Sequence, residues 1–150
     1  MANFEIEREV VIDAPVDVVW RTITEPDQIS RWFADRVELV AEPGGHGAMY
    51  FGDEGEGGPL VVEVVEPPRR FSFRWNHPAG EEPVAGNSLL VEFTLAAEGT
   101  ERTRLRVVEG GLDLLAWTDA EKERYTAEHN GGWATFLGRL TGLLADGTGG

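Results

Sequence analysis

The chain has 150 residues, 41% of them hydrophobic, and carries 27 acidic against 13 basic side chains for a formal net charge of −14. That length suits one domain with a full core, and the acidic excess argues against nucleic acid or anionic membrane as partners. There is no cysteine, which excludes disulfides, thiolate metal sites and a cysteine nucleophile. No basic, then apolar, leader opens the chain, and no apolar run approaches the roughly 18–20 residues of a bilayer span. A cytoplasmic location is expected.

In chain order, "FEIEREVVI" (4–12) alternates, with Phe4, Ile6, Val10 and Ile12 on one face and Glu5, Glu7 and Glu9 on the other. This predicts a strand with one wet side. Arg8 is the charged exception on its apolar face. The period then changes: Val16, Val19, Trp20 and Ile23 make one helical stripe over 13–24, with Pro15 suited to its first turn. A second short helix is predicted over 25–33, turning Ile29, Trp32 and Phe33 inward.

Six strands follow. Residues 36–40 and 47–51 flank "AEPGGH", which places His46 in a turn. "GDEGEGG" (52–58) reads as a hairpin loop. Its Asp53, Glu54 and Glu56 lack the spacing of a twelve-residue calcium loop. Residues 59–66 put Leu60, Val62 and Val64 on one face; residues 69–77 put Phe71, Phe73 and Trp75 inward. Residues 87–96 and 102–111 complete the series, the latter with Glu109 on its inward phase. Short turns between strands predict antiparallel pairing.

"TDAE" (118–121) is a capping-box pattern, Thr118 with Glu121. Beyond it, His129, Trp133, Phe136, Leu137, Leu140, Leu143 and Leu144 keep one helical stripe. Gly131 and Gly132 interrupt its chemistry without breaking its phase. They read either as a helix stop or as a site of close helix–sheet approach or bending. The continuous stripe favours one helix. "DGTGG" closes the chain as a flexible tail, leaving an ordered core of about residues 4–145.

The order strand, two helices, six strands, long helix predicts an α+β fold whose sheet is covered by the C-terminal helix. No metal motif accompanies His77 and His129, and no phosphate loop or nucleophile elbow occurs. Neither a metal nor a cofactor is expected, and no catalytic residue is assigned.

"IDAPVDVVWRTITEPDQISRWF", "FGDEGEGGPLVVEVVEPPRRFSFRW" and "GGWATFLGRLTGLL" together resemble the START-like, birch-allergen-like (SRPBCC) superfamily. More narrowly, they resemble the homologues of the activator of heat shock protein 90 ATPase. The resemblance implies a helix-grip fold, a curved antiparallel sheet of six to seven strands around the long helix, with a cavity between them. It implies a small hydrophobic or aromatic ligand, lipid-like or polyketide-like, bound without catalysis. The alternatives are a cyclase-type enzyme using the same cavity, or a module that contacts a chaperone or another protein. On that fold Trp32, Phe51, Phe73, Trp75, His129, Trp133 and Phe136 are the expected ligand-binding side chains. Its first and last strands are neighbours, so Arg8 and Glu109 are expected to form a polar pair at one end of the cavity.

Overall fold

The computed structural model describes residues 5–52, 56–75, 81–84 and 86–145. Strand β1 (Ile6–Ile12) leads into helices α1 (Val16–Thr24) and α2 (Pro26–Ile29). Strands β2 (Arg36–Leu39), β3 (His46–Phe51), β4 (Glu56–Glu66), β5 (Arg70–Trp75), β6 (Leu89–Glu98) and β7 (Arg102–Gly110) follow. A single 3-10 turn at Leu112–Leu114 precedes the long helix α3 (Asp119–Ala145).

The strands form one sheet in the order β1-β7-β6-β5-β4-β3-β2, and every neighbouring pair is antiparallel. Consecutive strands are joined as hairpins from β2 to β7, and β1 closes the far edge against β7. One face of this sheet is apolar. Phe71, Phe73, Val91, Phe93, Leu105 and Val107 on it are all at most 2% exposed. They meet Trp133, Leu137 and Leu140 of α3 in one core. The 27 residues of α3 extend about 40 Å at a rise of ~1.5 Å each, enough to cross the sheet. This is the helix-grip arrangement expected from the sequence, with seven strands.

The other face is charged and wet. Arg104 bonds Glu9 and Glu98, Arg74 bonds Glu63, and Arg106 bonds Glu7. These pairs join the solvent-side rows of neighbouring strands, where each contributes little.

α3 begins where the sequence placed its start. Thr118 N–H donates to Glu121 Oε1 at 3.1 Å, and Glu121 N–H donates to Thr118 Oγ1 at 3.1 Å. The helix then runs unbroken through Gly131 and Gly132.

Several local expectations change. The loop of residues 52–58 is shorter than it reads, because β4 already begins at Glu56 and pairs Gly57 with Tyr50 and Gly58 with Met49. Gly57 adopts φ +123°, and a Cβ there would lie 2.2 Å from the Met49 carbonyl oxygen. Only glycine fits that position. His46 opens β3 instead of lying in the turn. A register shift between Val62 and Val64 reverses the strand's phase, so Val65 packs on the core where Val64 was expected. Helix α2 stops at Ile29, and hydrogen bonds from Trp32 N–H and Phe33 N–H to the Ile29 carbonyl carry the chain round to β2. Phe4, His77, Asp53, Glu54 and the tail lie outside the described residues.

Candidate functional site

Tyr125, His129 and Trp133 recur every four residues on α3. That spacing stacks three polar-tipped rings on one helical stripe. All three reach the same acceptor. Glu109, near the end of β7, is fully buried. Its Oε1 accepts from Trp133 Nε1 at 3.0 Å and lies 2.9 Å from His129 Nδ1. Its Oε2 accepts from the Tyr125 hydroxyl at 2.7 Å and from Trp75 Nε1 at 2.8 Å. Trp75 comes from β5, so one carboxylate ties the sheet's middle to the helix.

A lone buried carboxylate is costly. Burial pushes the Glu109 carboxyl up, but the hydrogen bond from His129, and the charge of that ring when it is protonated, pull it down. With the Tyr125 and Trp133 hydrogen bonds these prevail, and the carboxyl sits below the usual glutamate range. Because Glu109 accepts only, His129 Nδ1 must carry the proton in this bond. The ring is held on both sides. It stacks on Tyr125 with centroids 3.7 Å apart and planes 17° from parallel, and meets Trp75 edge-on at 6.2 Å.

Beside this cluster lies a cavity of about 500 Å³, between α3 and the β3–β4–β5 side of the sheet. The helix contributes Glu128, His129, Gly132, Trp133 and Phe136. The sheet contributes Phe51, Trp75 and the segment Gly57, Gly58 and Pro59. Phe33, from the turn after α2, forms the floor. Its ring stacks on Trp133 at 5.0 Å and 15°, and is edge-on to Phe51 and Phe136 at 5.1 and 4.9 Å.

The space exists because side chains are missing around it. A Cβ on Gly58 would meet nothing within 4 Å, and one on Gly132 only Phe136 at 3.9 Å. Gly132 therefore does not mark a tight approach of helix to sheet. It fronts open space. Meanwhile α3 packs most closely on β1, at the opposite edge of the sheet, and stands off from β3 and β4.

Of the seven expected ligand-binding residues, Phe51, Trp75, His129, Trp133 and Phe136 line this cavity. Trp32 and Phe73 do not. Trp32 is 2% exposed and donates its indole N–H to the Thr22 carbonyl at 2.9 Å; Phe73 is 1% exposed in the core. The expected pair of Arg8 and Glu109 does not form. The strand register sets Ile6 opposite Glu109 and Arg8 opposite Val107. Arg8 instead donates from Nε to Asn130 Oδ1 at 2.8 Å, while neutral N–H and O–H donors and His129 satisfy Glu109. Two contributors went unforeseen. Inward phase alone does not bring Phe33 to the cavity, whereas the four-residue spacing of Tyr125 to His129 and Trp133 is a signal in the sequence that sets its ring on their stripe. Among the described residues no cluster of side chains could hold a metal ion, and no helix is long and apolar enough to cross a membrane.

A curved antiparallel sheet gripping a long helix, with a part-aromatic cavity between them, defines the START-like, SRPBCC class of ligand-binding folds. Within it, the chain belongs to the family described as Activator of Hsp90 ATPase homolog 1-like protein, which it matches over residues 13–145. Solved structures agree. The protein MLL2253 from Mesorhizobium loti is similar at 25% identity and a TM-score of 0.77, over 96% of this chain and 98% of that one. DynU16, a protein in the dynemicin biosynthetic locus, is 29% identical at a TM-score of 0.77; the match covers 97% of this chain but 49% of DynU16. The Aha1 dimer from Colwellia psychrerythraea shares the fold at 20% identity and a TM-score of 0.72, over 96% of each chain. No curated protein matches the chain.

Proposed function

We propose that this protein binds a small, flat, apolar or aromatic molecule in the cavity between α3 and the β3–β4–β5 face, without transforming it. The observation that carries this reading is the cavity itself: about 500 Å³, walled by Phe33, Phe51, Trp75, Trp133 and Phe136, with glycines where the walls would otherwise close. Aromatic walls with a few polar groups are the usual make-up of a small-molecule site. The likeness to DynU16, from a biosynthetic locus, supports a small molecule over a macromolecular partner. The chaperone-contact reading rests on the family's description alone; no feature of the site favours it.

The reading is tested with the methyl ether of umbelliferone, a flat, uncharged bicycle that quenches indole fluorescence. Saturable quenching of Trp75 and Trp133 is expected. Gly132→Leu, whose side chain would enter the cavity, should weaken binding by about tenfold, equivalent to ~1.4 kcal/mol. Quenching that does not saturate, or is unchanged in Gly132→Leu, places the ligand elsewhere. Native mass spectrometry of freshly purified protein would identify a ligand retained from the cell.

A second reading, an enzyme acting in the same cavity, is favoured by one observation. His129 in the cavity wall is backed by the buried Glu109 carboxylate at 2.9 Å.

A further inference from the structure

His129 is bonded through one nitrogen only. Nδ1 faces Glu109 at 2.9 Å, and Nε2 has no partner among the described residues. The residue lines the cavity, and its side chain keeps 28% exposure. A carboxylate that holds Nδ1–H fixes the tautomer, so the lone pair of the neutral imidazole is at Nε2. The same carboxylate stabilises the imidazolium once Nε2 gains a proton. This is the arrangement by which a buried acid makes a histidine a proton acceptor.

Glu109 reaches the ring from β7, and Tyr125 stacks on it from one helical turn earlier, with its hydroxyl committed to Glu109. Glu128 stands at the cavity wall. Arg8, the cation that β1 turns toward α3, is held by Asn130. Trp75 presents no charge. A net charge of −14 works against anions approaching from solution. A ligand suited to this site arrives neutral and ionises only inside it.

We propose that the cavity selects flat, neutral, weakly acidic ring compounds of the phenol class, and that His129, positioned by Glu109, takes their proton at Nε2. The ligand's O–H bond breaks and an N–H bond forms. A neutral pair becomes a phenolate–imidazolium pair, with Glu109 as the third charge in line and the aromatic walls around the ring. No oxidant, metal or second substrate enters the balance. This inference rests on the cavity reading above and adds the chemical class of the ligand and the group that recognises it.

Umbelliferone and its methyl ether separate the two. Both are flat bicycles of similar shape, but only umbelliferone has a proton to give, and its absorption and excitation spectra distinguish phenol from phenolate. In the wild type, bound umbelliferone should ionise at a pH about one unit lower than in buffer, a tenfold gain in its ionisation constant. His129→Gln should abolish that shift, read with the variant saturated by umbelliferone whatever its affinity. Glu109→Gln should remove most of the shift, again read at saturation; circular dichroism checks its fold. In wild-type protein, the His129 ring should show both nitrogens protonated by ¹⁵N NMR when umbelliferone is bound, but not when the ether is. Binding of both compounds with umbelliferone still neutral would overturn the proton-acceptor role and leave the cavity reading standing. An equal spectral shift in His129→Gln would overturn it as well. Failure of both compounds to bind would overturn the two readings together.

Discussion

Glu109 and Trp133 join the sheet to the helix it grips: the indole N–H of Trp133 on α3 donates to Oε1 of Glu109 on β7 at 3.0 Å, and both residues are buried. The bond is one of four to the same carboxylate, so the helix is docked by polar contacts inside an otherwise apolar core. Networks of this kind are rigid when complete and costly when broken.

Removing the carboxylate should therefore be expensive. Glu109→Ala strands the donors on Trp75, Tyr125, His129 and Trp133, and each buried unpaired donor costs about 1–3 kcal/mol. Water entering from the cavity will recover part of that, so a net loss of at least about 3 kcal/mol is expected in urea melts. Glu109→Gln keeps the shape and one acceptor oxygen and should lose about 1–3 kcal/mol. Equal stability of the two variants would mean that the hydrogen bonds contribute nothing beyond the volume they fill.

The pH dependence has a definite sign. The Glu109 carboxyl lies below the usual glutamate range: burial raises it, but the contacts from His129, Tyr125 and Trp133 outweigh burial. A carboxyl with a depressed folded value contributes stability that is present above its unfolded value of about 4.3 and lost as pH falls through the folded one. The stability gap between wild type and Glu109→Gln should thus narrow as pH is lowered from about 5. A gap that widens over the same window would show that burial prevails and the carboxyl is raised.

The glycines should divide by place. Gly131 is exposed on α3 with nothing near its would-be Cβ, and at Gly132 the nearest atom is Phe136 Cε2 at 3.9 Å. Gly131→Ala and Gly132→Ala should each stabilise by roughly 0.5–1 kcal/mol, the helix-propensity difference. Gly57→Ala should destabilise by more than about 1 kcal/mol, since its φ and the Met49 carbonyl both forbid a side chain. Thermal melts of the three variants provide the check. A destabilised Gly132→Ala would restore close helix–sheet packing as the reason for that glycine.

The capping box is separable from the site. Thr118→Ala removes the acceptor for Glu121 N–H and should cost about 1 kcal/mol. Umbelliferone-ether affinity should not change, because the cap lies well before the cavity-lining stretch of α3. Loss of ligand affinity in that variant would show that the start of the helix governs the cavity.

The amino-acid sequence by itself determined the element order, the antiparallel sheet and the long capped helix. Those features rest on local periods of two and 3.6 residues and on turn and cap chemistry, which are written in neighbouring residues. It also placed Trp75, His129, Trp133 and Phe136 on inward faces, and they line the cavity together with Phe51, which the family resemblance implied. Tertiary structure alone decided which inward residues face open space and which face one another. Trp32 and Phe73 have the same inward phase as Trp75 yet sit in solid core, because the gap opens only where α3 leaves the sheet and glycines withhold side chains. It decided the partner of Glu109 too. An inward acid and an inward arginine on adjacent strands suggested an ion pair, but the β1–β7 register sets Arg8 opposite Val107, while three rings of α3 and one of β5 converge on Glu109. Strand phase states which face a side chain takes. Register and the docking of a distant helix settle what it meets there, and neither is encoded within a few residues of Glu109.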